Sequence, residues 1–402
     1  MRKIMAALDI GTYRIKLVVA EIFRNKLHIL SVSETDNQDN ESEEIFKEKI
    51  TKVFKDAETK LGLAINKIVL TIPSNNAAFY MGEATIQIDD IVKGEDIKRV
   101  IKESTSGMTA PNELLVSITP SSFKLDNDYY TKKPLGEKTT TLSVRTVCVT
   151  VPKTEINPLL KIIHDLNINV KSLSFKTIGD YYTYKDNFEI KESSTVGIID
   201  IGYKSSELAI FNKGVLTNVN TLNIGGIKVA SDISYVYKIP LNEANSLVDK
   251  YTKAIPYENK EIIKINNQDI KIEELSKIAY ARLKEIISVS LKELKYLTKK
   301  EIDYVIITGG ITEMPKIKVL ANEISDKLLI YPINILGARN NKYASALGII
   351  IWYNEYTRLQ GDDYSIFNID EQEKLSGVNK QEKITDNDNS LLGKVFGYFL
   401  DD

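Results

Sequence analysis

At 402 residues the chain is too long for one hydrophobic core and fits two to four subdomains. Its 53 basic and 55 acidic residues nearly cancel, and no basic stripe stands out beyond isolated Lys-Lys pairs, so nothing points to a nucleic-acid partner. One cysteine, Cys148, excludes an intramolecular disulfide and any cysteine-rich metal site, and His28 and His164 stand in no metal-ligand spacing. Cys148 lies in an apolar alternating strand, the setting of a buried, inert thiol.

The chain starts at Met1 to Met5 and runs straight into a strand. The expectation is therefore no signal peptide, no bilayer-spanning run, and a cytosolic protein unless something attaches it to a membrane. Two apolar runs, Ile4 to Ile10 and Ile15 to Ala20, flank a break at Gly11-Thr12-Tyr13 and read as a hairpin. Asp9 closes the first run. A carboxylate there can hold a hydrated Mg²⁺ whose other face carries phosphate; Gly11 lets a phosphate approach the backbone, Thr12 offers a hydroxyl and Lys16 a cation.

Lys26 to Ser33 follows as a strand. Ile45, Ile50, Val53, Phe54 and Ala57 recur at helical spacing up to a stop at Gly62, and Lys67 to Ile72 is again a strand. From about Ser74 the texture changes: strand Ala77 to Ile86, helix Gly94 to Glu103, strands Glu113 to Leu125 and Thr140 to Pro152, and a helix from Thr154 to Leu166 with Glu155 just inside its start. Asn169 to Phe175 returns as a strand. Lys176 to Asp186 reads as a helix whose Tyr181, Tyr182 and Tyr184 are core packing.

Val196 to Phe211 repeats the first motif. An apolar run ends in Asp200, Gly202 follows, then the polar turn Tyr203-Lys204-Ser205-Ser206 and a second apolar run. Two such hairpins half a chain apart imply two similar domains facing across a cleft. Val215 to Leu222 is a strand, and Gly225-Gly226 precedes a helix from Ala230 to Tyr237, a place suited to a phosphate or ribose. Leu241 to Tyr251 is helical, and a hairpin is expected at Asn266 to Asp269. Ile272 to Thr298 carries apolar residues at 275, 278, 279, 283, 286, 287, 291 and 294, a long amphipathic helix with Arg282, Lys284 and Glu285 near its middle. Val305 to Gly310 is a buried-type strand ending in Thr308-Gly309-Gly310, where glycines let a flat ring or ribose lie against the backbone.

Residues 360 to 390 are acidic and poor in aliphatics, a linker with no core of its own. Beyond it, Leu391, Leu392, Val395, Phe396, Phe399 and Leu400 fall on one helical face, an amphipathic segment suited to a membrane interface. Only Lys394 is basic there and the segment ends in Asp401-Asp402. Membrane insertion would come from apolar burial, at about 0.8 kcal/mol per CH₂, rather than from attraction to anionic lipid.

The two Asp-x-Gly hairpins and the Thr308-Gly309-Gly310 strand end, in that order, resemble the two phosphate motifs and the adenosine motif of the actin-like ATPase superfamily, and within it the bacterial FtsA family. Ile118 to Asp126, Lys133 to Gly136 and Val147 to Val151 resemble the domain that family inserts; Ala281 to Ile287 and Tyr343 to Gly348 resemble its long second-lobe helix and its return helix. The resemblance implies an α/β, actin-like, two-lobed fold of duplicated ribonuclease H-like domains with an α+β inserted subdomain. The implied boundaries are 1–73 and 167–193 for the first lobe core, 74–166 for the insert, 194–226 and 305–342 for the second lobe core, 227–304 for its second subdomain, 343–359 for the return helix, 360–390 for the linker and 391–402 for the membrane-targeting helix.

The resemblance further implies ATP and Mg²⁺ as cofactors. ATP would meet Asp9, Gly11, Thr12, Tyr13, Lys16, Asp200, Gly202, Tyr203, Lys204, Ser205, Gly225, Gly226, Arg282, Glu285, Gly309 and Gly310, with Asp9 and Asp200 holding Mg²⁺ through water. Lys277 and Arg282 suit the acidic C-terminal peptide of FtsZ. Head-to-tail copies of itself, membrane lipids and other division proteins complete the implied partners, on the cytoplasmic face of the cell membrane at the division site. The chain departs from the family's glycine-rich second loop in having Tyr203-Lys204 after Gly202, and no water-activating base is evident, so ATP binding with weak or no turnover is expected. A PilM-like adaptor of type IV pilus assembly, and a small-molecule kinase of the same fold, are the alternative readings.

Overall fold

The computed structural model describes residues 3–24, 26–38, 41–186, 190–191, 193–265, 268–362 and 364–375. Two compact units divide the chain, residues 1–366 and 367–402. In the first, β1 (Lys3–Ile10), β2 (Arg14–Phe23) and β3 (Lys26–Asp36) form an antiparallel meander. β1 is buried from Lys3 to Asp9, as its unbroken apolar run requires of a central strand. Helix α1 (Glu43–Leu61) starts on Ser42, whose hydroxyl accepts from the Ile45 amide, carries Glu43 and Glu44 in its first turn, and stops at Gly62 in the left-handed region. β4 (Lys67–Ile72) then pairs parallel with β1.

The chain next builds a four-stranded sheet from β5 (Ala78–Ile91), β6 (Glu113–Lys124), β7 (Tyr130–Thr131) and β8 (Lys138–Pro152), in the order β5-β8-β6-β7. Helix α2 (Gly94–Ser104) covers it, seating Ile97, Val100 and Ile101 on Ile86, Phe123, Leu142 and Val144. β5 runs past the expected end at Ile86, because a shift between Gln87 and Asp90 lets Asp90 and Ile91 go on pairing with Thr139 and Lys138. Helix α3 (Lys153–Asp165) begins directly on Pro152. Thr154 is inside it and caps nothing, while Glu155 accepts from Asn76 Nδ2 at 2.5 Å.

β9 (Asn169–Phe175) returns to the first sheet parallel to β4, giving the order β3-β2-β1-β4-β9, and leads into α4 (Lys176–Tyr184). The second lobe repeats this plan. β10 (Thr195–Ile201), β11 (Ser206–Asn212) and β12 (Val215–Leu222) form the meander. Helices α5 (Ile227–Tyr237) and α6 (Leu241–Tyr251), the hairpin β13 (Ile262–Ile265) with β14 (Gln268–Lys271), and α7 (Ile272–Tyr296) intervene. β15 (Tyr304–Thr308), α8 (Ile317–Ile324) and β16 (Leu328–Leu329) complete the order β12-β11-β10-β15-β16. The same strand order, with three antiparallel strands and then parallel ones, makes the two sheets copies of one design. The core of the second lobe runs between this sheet and α5, α7 and α8, with Leu275, Ala279, Leu283, Ile286, Ile287 and Leu294 of α7 facing inward, the period read from the sequence.

Helix α9 (Ala344–Leu359) crosses α4 at small residues: a Cβ on Gly179 would lie 2.1 Å from the Ser345 carbonyl oxygen, and one on Gly348 would lie 1.6 Å from that of Gly179. After it, Tyr364, Ser365 and Ile366, within the stretch expected as linker, pack on β1 and α9. The Ile366 amide donates to the Ile4 carbonyl at 2.8 Å and the Ser365 hydroxyl accepts from the Ile4 amide at 3.1 Å, while Tyr364 meets Tyr353 edge-on. These two hydrogen bonds and one ring contact are local anchors that the acidic average of the stretch hides. In the second unit Ile369–Leu375 forms a helix, α10. The proposed membrane residues, Leu391, Leu392, Val395, Phe396, Phe399 and Leu400, lie outside the described residues. No helix among the described residues is long and apolar enough to cross a membrane.

Candidate functional site

The duplication puts matched residues at matched places. Asp9 faces Lys16 across the β1–β2 hairpin and Thr71 on the parallel strand; Asp200 faces Glu207 across β10–β11 and Thr308 on its parallel strand. Parallel neighbours end at one edge of each sheet, which is where open α/β folds gather ligand-binding groups. Here the two edges face each other.

Asp9 has a side chain only 2% exposed, and three donors surround it. Lys16 Nζ lies 2.6 Å from Oδ2, Lys176 Nζ 3.4 Å from Oδ1, and the Thr71 hydroxyl donates to Oδ1 at 2.9 Å. Burial alone would raise its pKa, but the two ammonium groups outweigh burial and hold it well below the usual carboxylate range. Lys16 also donates to the Lys342 carbonyl at 2.6 Å, and Lys176 to the Ile10 carbonyl at 3.0 Å. A water-bridged Mg²⁺ on Asp9 would need a carboxylate edge open to its hydration shell. Both oxygens are instead taken by ammonium and hydroxyl, so the residues at Asp9 do not fit the expected metal role. Among the described residues no three acidic, histidine or cysteine side chains converge on a metal position.

On the opposite side Asp200 is raised in pKa by burial despite Lys176 and Lys16, and Asp180 is raised further by burial and by the charge of Asp200. Asp180 accepts from Ser345 at 2.8 Å through one oxygen, while its buried Oδ2 has no partner, which fits a protonated carboxyl. Glu207 accepts from the Ser74 amide at 3.2 Å and the Ser74 hydroxyl at 3.0 Å. Gly309 sits at φ 92° with no room for a side chain, since a Cβ would stand 2.4 Å from Asp200 Oδ1. Beside it the Tyr184 hydroxyl lies 3.0 Å from that of Thr308, so Tyr184 adds a polar link to the core packing expected of it.

The hairpin tips meet. Tyr13 and Tyr203 stack with ring centroids 4.4 Å apart, and Asn245 Nδ2 donates to the Tyr203 hydroxyl at 2.8 Å. Gly11 and Gly202 close their turns by donating to Arg14 and Ser205 carbonyls, Thr12 is exposed at its tip, and Lys204 and Ser205 complete the second turn. Gly225 and Gly226 pack on that turn, with the Gly226 amide donating to the Gly202 carbonyl at 2.9 Å, and Gly310 opens a short 3-10 turn after Gly309.

Arg282 is committed elsewhere: its Nε and Nη2 donate to both oxygens of Asp232 on α5, and Nη1 donates to Glu285 at 2.6 Å. Lys277, half exposed, pairs with Glu273 one turn away. Cys148 is buried and its thiol pKa is raised by that burial, as an inert thiol's would be.

Thr71, Ser74, Lys176 and Asp180 escape the sequence reading. The signal for three of them was present: Thr71, Ser74 and Lys176 lie at or just past the ends of strands parallel to β1, where the topology gathers polar groups.

Two sheets of one strand order, each led by an Asp-x-Gly hairpin and facing the other across these residues, define an actin-like two-lobed fold. Solved structures agree: the PilM-PilN type IV pilus biogenesis complex superposes with a TM-score of 0.56 at 12% identity, covering 87% of this chain and 98% of that one. MreB5 of Spiroplasma citri bound to ADP does so at 0.55 and 12%, covering 90% and 99%. Within that class the chain is similar to the cell-division protein FtsA. A family model described as Cell division protein FtsA matches residues 197–348. The FtsA proteins of Enterococcus faecalis and Bacillus subtilis are each 26% identical, over 378 and 383 residues, covering 89% of this chain and 84% and 85% of their own lengths.

Proposed function

We propose that this chain is an ATP-binding adaptor that polymerises head to tail on the cytoplasmic face of the membrane at the division site and tethers FtsZ filaments there, through the acidic FtsZ C-terminal peptide, alongside other division proteins. The observation that carries the reading is the likeness to FtsA proteins over nearly the whole chain, together with two matched hairpins that face each other. Bound ATP would supply the polyphosphate bridge that sets the closed shape able to stack.

The chain's own residues suit that task. Lys16 and Lys176 offer cationic charge beside the first hairpin, the exposed Gly310 leaves backbone open to a nucleoside, and the Tyr13–Tyr203 stack would part to admit phosphates. Weak or absent hydrolysis is part of this reading: Glu207 is engaged by the Ser74 amide and hydroxyl, and Asp180 by the Ser345 hydroxyl. Lys277, the more exposed of the two candidate FtsZ contacts, would meet the acidic peptide, and the apolar positions 391–400 would anchor the chain at the lipid surface.

The test is co-sedimentation of the full chain with lipid vesicles, with and without ATP, adding a peptide from the C-terminus of the host's FtsZ. ATP-dependent recruitment of the peptide is the expected result. Vesicle binding without the peptide would move the partner to another filament or to pilus machinery, and no vesicle binding would remove the membrane role.

A further inference from the structure

Lys176 is the first residue of α4, directly after β9. Because β9, β4 and β1 run parallel, that position delivers its ammonium to the same sheet edge as Asp9. The side chain is 14% exposed, with Nζ 3.0 Å from the Ile10 carbonyl oxygen and 3.4 Å from Asp9 Oδ1. A Cβ added to Gly11 would stand 3.9 Å from the same nitrogen, so the ammonium reaches the turn of the first hairpin. Burial alone would favour the neutral amine, but Asp9, Glu207 and Asp200, drawn from both lobes, keep it charged.

Lys176 thus places one cation at the position from which a divalent ion would serve Asp9. Magnesium, however, needs octahedral oxygen ligands at about 2.0–2.1 Å and keeps several waters. An amine this close to Asp9 and the Ile10 carbonyl fills the space that shell would take, and it repels a second cation. An ammonium is also a phosphate binder in its own right.

We infer that Lys176 is a built-in cation that takes the place of the divalent ion, so that the cleft accepts a nucleoside di- or triphosphate in its metal-free form. The inference rests on the nucleotide reading of the site. It makes Lys176 at once the counter-charge of Asp9 and a contact for the phosphate chain.

The test is equilibrium titration of the full chain with a fluorescent ATP analogue in excess magnesium and in excess EDTA. Affinities that agree within about twofold are expected, and a loss of more than about tenfold in EDTA would overturn the inference while leaving the nucleotide reading intact. Lys176→Met should convert the chain to magnesium-dependent binding. A second readout needs neither nucleotide nor that variant: manganese resonance on the wild-type chain should show no bound ion that Asp9→Asn releases. Such an ion would overturn the inference. Absence of nucleotide binding in both buffers would sink the nucleotide reading, and the manganese result alone would then decide whether Lys176 fills the cation position.

Discussion

Ser74, just past β4 in the first lobe, donates both its amide and its hydroxyl to one oxygen of Glu207 on β11 of the second, at 3.2 and 3.0 Å. Burial pushes the Glu207 pKa up to about 7; Asp200 adds to the rise, and Lys176 and the Ser74 bonds oppose it. A carboxyl whose folded pKa exceeds its unfolded value of 4.5 stabilises the fold most below that value, and the contribution is lost as pH rises through about 7. The melting temperature should therefore fall between these two pH values. Asp180 shifts the same way, so the decisive quantity is the difference from Glu207→Gln, which should flatten part of the slope, worth on the order of a few kcal/mol. Identical pH profiles for wild type and variant would show that Glu207 does not titrate in this range.

The Tyr13–Tyr203 stack joins the two hairpin tips at 4.4 Å, and its energy is accessible without any ligand. Aromatic pairs of this kind contribute about 0.5–1.5 kcal/mol beyond the area they bury. A double-mutant cycle of Tyr13→Ala and Tyr203→Ala in urea should return a coupling in that range. A coupling near zero would mean that the rings only share a surface. Tyr203→Ala should cost more than Tyr13→Ala, because it also strands the Asn245 amide that donates to the Tyr203 hydroxyl.

Much of this was legible in the chain. The strands of both hairpins, α1 with its Gly62 stop and α7 follow from apolar period and turn residues, since each depends on local pattern. What escaped is set by distance in sequence. Lys176 stands among tyrosines in a helix and looks like a surface lysine until β9 is known to lie parallel to β4; Asp180 gains its character only from burial against Ser345 and the field of Asp200. Conversely, Arg282 looked free for a ligand because Asp232, its partner, is 50 residues away on another helix.

The crossing of α4 and α9 sets a sharp steric test. A Cβ on Gly348 would stand 1.6 Å from the Gly179 carbonyl oxygen, so Gly348→Ala must push apart the two helices that run between the lobes. A loss of about 3 kcal/mol or more is expected, at the upper end of overpacking effects. Gly310→Ala is the control: the nearest atom to its Cβ is 4.0 Å away, and its cost should stay near the helix- or loop-propensity scale, about 1 kcal/mol or less. Equal costs for the two substitutions, measured by chemical denaturation, would mean that the helices yield freely at their crossing.

Arg282 and Lys277 share α7 but not a role in stability. Arg282 grips Asp232 with two nitrogens, a bidentate pair whose side chains are about two-thirds buried, and the more exposed Glu285 with a third. Lys277 makes a single pair one turn away with its side chain 55% exposed, and such pairs contribute little. Arg282→Ala should therefore lower stability by about 1 kcal/mol, with Asp232→Asn costing a similar amount and the double variant costing less than the sum. Lys277→Ala should leave stability within about 0.5 kcal/mol. If the acidic FtsZ peptide docks on this face, Lys277→Ala should weaken peptide binding while the melting temperature stays put, and Arg282→Ala should change both. A peptide affinity unmoved by Lys277→Ala would place the peptide on another surface.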